Sequence, residues 1–149
     1  YRKIHPFSFT GENRHYSSGI TPKVTSVHGI SIGLSICYDL RFPELYRKYA
    51  KNAVDVIVDI ANWPVERIEH WYTLLKARAI ENQCYMIGVN RVGSDKSINY
   101  PGWSTIFDPL GKEILCSKNE EGVKIAMIDR KEVKKTRDKF PFLNDIRLI

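Results

Sequence analysis

The run Ile30-Ser31-Ile32-Gly33-Leu34-Ser35-Ile36-Cys37-Tyr38-Asp39-Leu40-Arg41-Phe42-Pro43 decides how this chain is read. Through Ile36 it alternates strictly, with Ile30, Ile32, Leu34 and Ile36 on one face and only Ser31, Gly33 and Ser35 on the other, the period of a β-strand. The small-residue face invites close packing of another layer. The alternation stops at Cys37, and Pro43, whose fixed φ suits a first helical turn, opens a helix predicted to run to about Lys51, with Leu45, Tyr46 and Tyr49 at helical spacing. Cys37 therefore stands at an abrupt strand-to-helix junction. A thiol held on such a turn faces free backbone amides that lower its pKa and can hold an oxyanion. Cysteine also packs commonly as a small hydrophobe, so placement alone leaves both roles open.

Working outward, Val24 to His28 and Ile30 to Ile36 form a predicted hairpin around His28-Gly29, and the first twenty residues are turn-rich. Downstream, Val54 to Ile60 is a β-branched strand that breaks at Ala61-Asn62-Trp63-Pro64. Glu66 to Gln83 is the longest helix, with Ile68, Trp71, Tyr72, Leu75 and Ile80 at helical intervals, and Cys84 to Val89 is the next strand. Asn90 to Trp103 is predicted as a loop, Ser104 to Phe107 as extended, and Asp108-Pro109-Leu110-Gly111 as a turn into a strand at Lys112 to Cys116. After Glu120-Glu121-Gly122 a strand is expected over Val123 to Ile128, then a short basic helix over Arg130 to Lys139. Strands alternating with helices predict an α/β layered fold, in which ligands collect at the carboxyl ends of strands. Cys37, the Asn62-Trp63 loop and the Asn90-Arg91 loop would share that rim.

Composition narrows the class further. The 149 residues fit one domain, and 43% hydrophobic with 27% charged residues excludes disorder, collagen and coiled coil. No apolar run approaches the ~20 residues of a membrane span; Val54 to Ala61 is interrupted by Asp55 and Asp59. Three cysteines, Cys37, Cys84 and Cys116, and four histidines, His5, His15, His28 and His70, show no spacing suited to a disulfide framework or a metal site, and a reducing, cytoplasmic compartment is expected. The +6 balance, 23 Lys and Arg against 17 Asp and Glu, raises the question of nucleic acid. Lys131, Lys134, Lys135, Arg137 and Lys139, however, interleave with Glu132 and Asp138 and with no stacking aromatics, the pattern of a solvated helix face. A thiol hydrolase of the Cys-His kind would need His70 to reach Cys37, and His70 sits at the start of the longest helix, where packing or capping is the simpler role.

Ile36-Cys37-Tyr38-Asp39-Leu40-Arg41-Phe42-Pro43-Glu44-Leu45 resembles the nucleophile motif of the nitrilase, or carbon–nitrogen hydrolase, superfamily. Tyr1-Arg2-Lys3-Ile4-His5-Pro6-Phe7 resembles the segment carrying that family's catalytic lysine. Ala77-Arg78-Ala79-Ile80-Glu81-Asn82-Gln83 resembles its post-nucleophile helix, and Tyr100-Pro101-Gly102-Trp103-Ser104 with Asp108-Pro109-Leu110-Gly111 resembles its late segments. The resemblance runs over nearly the whole chain and implies an α-β-β-α sandwich with a Glu-Lys-Cys triad and no cofactor. It implies Cys37 as nucleophile, Lys3 as the cation beside it, and the Tyr38 backbone N–H as oxyanion donor. Glu12 matches an additional glutamate that orients the lysine and substrate. The family's general-base glutamate lies upstream of the lysine, and none of Glu12, Glu44 or Glu66 matches its motif. Residues 1–149 are therefore expected to be the C-terminal part of one carbon–nitrogen hydrolase domain and inactive alone. Asn62-Trp63-Pro64 with Arg67 and His70-Trp71 resembles the branch that includes ω-amidases, with a small carboxylate-bearing amide as substrate, Trp63 as an apolar wall, and Arg41 as carboxylate partner or as an ion-pair member with Asp39 or Glu44. An N-carbamoyl amino acid or a nitrile is the alternative substrate, and a lapsed scaffold the alternative from another class. The resemblance also implies a homo-oligomer joined through the helix after Cys37 and the tail Phe140-Pro141-Phe142-Leu143.

Overall fold

A computed structural model describes residues 1–148. Its centre is one seven-stranded mixed sheet: β1 (Val24–Val27), β2 (Ile30–Ile36), β3 (Val56–Ala61), β4 (Tyr85–Asn90), β5 (Val92–Asp95), β6 (Ile98–Phe107) and β7 (Glu113–Lys118). The spatial order is β1-β2-β3-β4-β6-β5, with β7 also on β6. Strands β2, β3 and β4 are parallel, in a register that sets Ile36 beside Ile60 and Ala61 beside Asn90. Parallel neighbours need crossovers, and these are α1 (Pro43–Lys51) and α2 (Ile68–Asn82); α3 (Arg130–Lys139) follows the sheet.

The helices choose the face that the sequence leaves small. A side-chain carbon at Gly33 would lie 2.9 Å from the Tyr49 ring of α1, and one at Gly88 would lie 2.4 Å from Leu75 and 2.6 Å from Trp71 of α2. These two glycines let bulky helix side chains sit directly on the sheet. Leu40, Tyr46, Tyr49, Ile57, Trp71, Leu75, Met86 and Phe107 form the resulting core, all essentially without solvent exposure. On the opposite face Val133 of α3 covers Val56 and Tyr85. That cover ends towards the strands' carboxyl ends, where Ile60 is 53% and Val89 48% exposed.

The predicted elements through β4 are present within one to two residues, and the hairpin, the Asp108–Gly111 turn and α3 form as expected. Two readings are corrected. The expected loop from Asn90 to Trp103 is a hairpin of β5 and β6 closed across Lys96-Ser97, with Lys96 at φ 53°. Pro101 disguised it, yet Pro101 pairs with Val92 at the short outer strand, where the missing amide is tolerated. The expected strand at Val123 to Ile128 is absent: the segment pairs with no strand among the described residues, and Val123, Ile125 and Met127 are 88%, 88% and 91% exposed. Its alternation is that of a strand, but a strand exists only against a neighbour, and none among the described residues takes this one. The basic helix is the solvated face that its pattern suggests, with Lys134 paired to Asp138 and Lys135 to Glu132. Arg137 is the exception; it turns inward and donates to the carbonyls of Gln83, Val54 and Asn82.

Candidate active site

Cys37 begins a 3-10 turn, Cys37–Arg41, directly at the end of β2, and its φ of 51° is the left-handed conformation that non-glycine residues seldom adopt. Two buried carboxylates impose it. Asp59, on the neighbouring strand, accepts the Cys37 amide at 2.8 Å, and Asp39 accepts the Ile36 amide at 3.1 Å. Asp59 also takes the Ser35 hydroxyl at 2.7 Å and the Tyr46 hydroxyl at 3.0 Å. Burial pushes its carboxyl up to about 7, while those three donors pull the other way. Asp39 in addition receives the Tyr1 hydroxyl at 2.7 Å and the His5 amide at 2.9 Å, so one carboxylate joins the N-terminal segment to the turn that begins at Cys37. His5 also stacks on Phe42 at 3.9 Å, and Phe7 lies 4.7 Å from Tyr38.

That docking places Lys3. Its ammonium donates to Glu12 Oε2 at 2.6 Å, and the same oxygen accepts the Phe7 amide at 2.6 Å. Burial alone would raise Glu12, but Lys3 and the Phe7 amide outweigh it and hold the carboxyl below its ordinary value. For Cys37 the balance is the reverse. Burial pushes the thiol up, with Asp59 and Glu12 adding to it, against Lys3 and the backbone amide of Asn62. At neutral pH Cys37 is thus a thiol whose ionisation Lys3 assists.

Cys37, Lys3 and Glu12 share the wall of a cavity of about 640 Å³ that opens over the carboxyl ends of the parallel strands. Ile36, Ile60 and Val89 form part of its floor, the three strand ends named above. The expected rim is therefore real. Asn90 fastens it: the side chain accepts the Trp63 amide at 2.7 Å and donates to the carbonyls of Trp63 and Gly102 at 3.0 and 2.7 Å.

Not all the expected residues line the cavity. Trp63 is 3% exposed and lies behind the wall, its ring 5.5 Å from that of Trp71 and its indole N–H on the Arg67 carbonyl at 2.8 Å. Arg41 stacks on Trp63 at 4.9 Å and bonds His70 Nδ1 at 3.3 Å, off the cavity wall. That contact also places His70 with Arg41 rather than with Cys37, against the Cys-His reading. The Tyr38 ring packs in the aromatic cluster, while its amide, near the start of the 3-10 turn, has no partner within that turn. Along the sequence Arg67 stood only as part of the Asn62-Trp63-Pro64 motif, Asn90 and Arg91 only as a rim loop, and Asp39 and Asp59 carried no site role. Of these Asp59 had a legible signal, a lone carboxylate inside the β-branched run Val-Ile-Val-Asp-Ile. Among the described residues no cluster of His, Cys, Asp and Glu suits a metal ion.

A cysteine on a strained turn beside a lysine–glutamate pair, at the carboxyl edge of a mixed α/β sheet, is an arrangement chemically suited to a thiol nucleophile. The chain belongs to the carbon-nitrogen hydrolase family, whose sequence profile matches residues 1–138. It is 39% identical over 147 residues to 2-oxoglutaramate amidase of Bacillus subtilis and 40% identical over 147 residues to omega-amidase YafV of Yersinia enterocolitica. These matches cover 99% and 97% of this chain and 57% of each relative, so the chain spans little more than half of their length. Among solved structures, XC1258 from Xanthomonas campestris, a CN-hydrolase superfamily protein with an arsenic adduct in its active site, superposes with a TM-score of 0.92 at 34% identity. That match covers all of this chain and 59% of XC1258. Nit3 of Saccharomyces cerevisiae, a member of the nitrilase superfamily, gives 0.85 at 26% identity over 95% of this chain and 52% of Nit3.

Proposed function

We propose that these residues carry the nucleophile half of an amidase that hydrolyses a small carboxylate-bearing amide, of the 2-oxoglutaramate kind, to its acid and ammonia. The observation that supports it best is Cys37 on its strained turn with Lys3 and Glu12 on one cavity wall. Cys37 attacks the amide carbon, and the developing oxyanion is held by the Lys3 ammonium and the Tyr38 backbone N–H. Ammonia leaves, and water releases the acid from the thioester. Glu12 acts through Lys3, which it fixes by the 2.6 Å contact. Because burial keeps Cys37 protonated at neutral pH, a base must take its proton. Glu12, bound to Lys3 and to the Phe7 amide, is poorly free for that duty. We assign the base to the part of the relatives' length that these residues do not span, which leaves them unable to turn over alone.

Ammonia release by the full-length protein, compared between 2-oxoglutaramate, an N-carbamoyl amino acid and a simple nitrile, tests the substrate. Preference for either of the last two would move the protein to another branch of the family. Loss of ammonia release in Cys37→Ala, with a thioester mass shift on Cys37 in the unaltered protein, tests the nucleophile; full turnover in that variant refutes it. Three free thiols, Cys37, Cys84 and Cys116, support a reducing, cytoplasmic-type setting. The tail supports self-association, since Phe142 is 65% exposed and stacks on Phe140. A strictly monomeric sedimentation profile would count against that.

A further inference from the structure

The reaction above leaves the far end of the substrate unrecognised, and the cavity wall contains a group suited to it. Among the described residues four charged side chains line the cavity: Lys3, Glu12, Arg67 and Arg91. Lys3 and Glu12 neutralise each other at 2.6 Å. Arg91 is engaged as well; it donates to the Ser94 carbonyl at 3.2 Å, lies 4.0 Å from Asp95, and sits 4.5 Å from the Tyr100 ring centroid. Arg67 is half-buried, and among the described residues its guanidinium makes no hydrogen bond or ion pair. Its backbone, by contrast, is held: the amide donates to the Pro64 carbonyl at 3.2 Å, and the carbonyl accepts the Trp63 indole at 2.8 Å. Asn90 in turn clasps Trp63 to the next loop.

A half-buried guanidinium without an acceptor has given up hydration for nothing inside the protein, and its planar donor fork matches a carboxylate. Position agrees. Cys37 follows β2 and Arg67 follows β3, the adjacent parallel strand, and Cys37, Asn62 and Arg67 line the same cavity. We propose that Arg67 is the carboxylate anchor of the substrate pocket, so that the enzyme selects amides bearing an acid group at the end remote from the scissile bond. The role expected of Arg41 passes to Arg67, because Arg41 is spent on Trp63 and His70 off the cavity wall. The inference rests on the amidase reading for its substrate, but not for its anion site.

The experiment has two arms. In the full-length protein, ammonia release is followed with a carboxylate-bearing amide and with a neutral amide of matched length. Arg67→Met should raise KM for the acidic amide about 10- to 100-fold with kcat little changed, and leave kcat/KM for the neutral amide within about twofold. Arg67→Lys should recover part of the loss, and Arg41→Met should leave the acidic-to-neutral ratio unaltered. An unchanged ratio in Arg67→Met, or a ratio lost in Arg41→Met instead, overturns the assignment. In the second arm, glutarate binding is measured calorimetrically on Cys37→Ala with and without Arg67→Met. Loss of glutarate affinity on removing Arg67 supports the anchor, and equal affinity overturns it. If no amide yields ammonia, the amidase reading falls and this second arm still decides the anion site.

Discussion

Asp39 Oδ1 accepts two hydrogen bonds from His5, one from its backbone amide at 2.9 Å and one from ring Nδ1 at 2.8 Å, across 34 residues of chain. Its other oxygen takes the Tyr1 hydroxyl and the Ile36 amide. Asp39 has no solvent exposure, so among the described residues these four contacts are its donors. They fix the segment carrying Lys3 to the turn carrying Cys37 without touching the Lys3 ammonium or the Cys37 sulfur.

Asp39→Ala should therefore cost about 3–5 kcal/mol of stability, because it strands buried donors on both segments. Asp39→Asn should cost less, yet still slow alkylation of Cys37 at fixed pH by loosening Lys3. Urea unfolding and iodoacetamide kinetics check the pair; Asn behaving as the unaltered protein in both would remove Asp39 from the positioning role.

Alkylation of Cys37 against pH should show a midpoint above that of an ordinary thiol, since burial outweighs Lys3 and the Asn62 amide. Lys3→Met, which removes the opposing charge, should move the midpoint further up. A downward shift would mean that the lysine does not favour the thiolate.

Asp59 makes stability fall with rising pH. Its carboxyl lies near 7 in the fold, against about 4 in an unfolded chain, so folding binds the proton. This contribution is complete below about pH 4 and is lost as pH climbs through about 7. Asp59→Asn should flatten the unfolding midpoint across that window, as measured by thermal unfolding at several pH values. An unchanged slope would mean that the carboxylate is ionised throughout.

Gly88→Ala should destabilise by about 1–3 kcal/mol, because its new carbon would lie 2.4 Å from Leu75 and 2.6 Å from Trp71 in a filled core. Gly29→Ala meets no atom within 4 Å and should cost only the strain of its φ of 79°. Chemical denaturation of the two variants separates packing from backbone strain.

Much of this was legible along the chain. The alternation in Ile30 to Ile36, its end at Cys37 and the proline at Pro43 give β2, the turn and α1, because such signals act between residues a few positions apart. Lys3 and Cys37 were named by motif, and the structure brings both to one cavity. The hairpin β5–β6 was hidden by Pro101, whose tolerance depends on its place in the sheet. The strand-like pattern at Val123 to Ile128 misled for the related reason that strand formation needs a partner.

The sequence by itself determined the order of the elements through β4, the place of Cys37 at a strand-to-helix junction and the small face on which the helices lie. Only the tertiary structure decided which arginine meets the cavity and which carboxylates hold the turn. Along the chain Arg41 was the arginine read as carboxylate partner, and Arg67 only a member of the neighbouring motif, yet a guanidinium reaches far enough to face either side of Trp63. Packing of Arg41 on that ring, and of Trp63 behind the wall, is a contact between loops from different strands, and no local pattern encodes it.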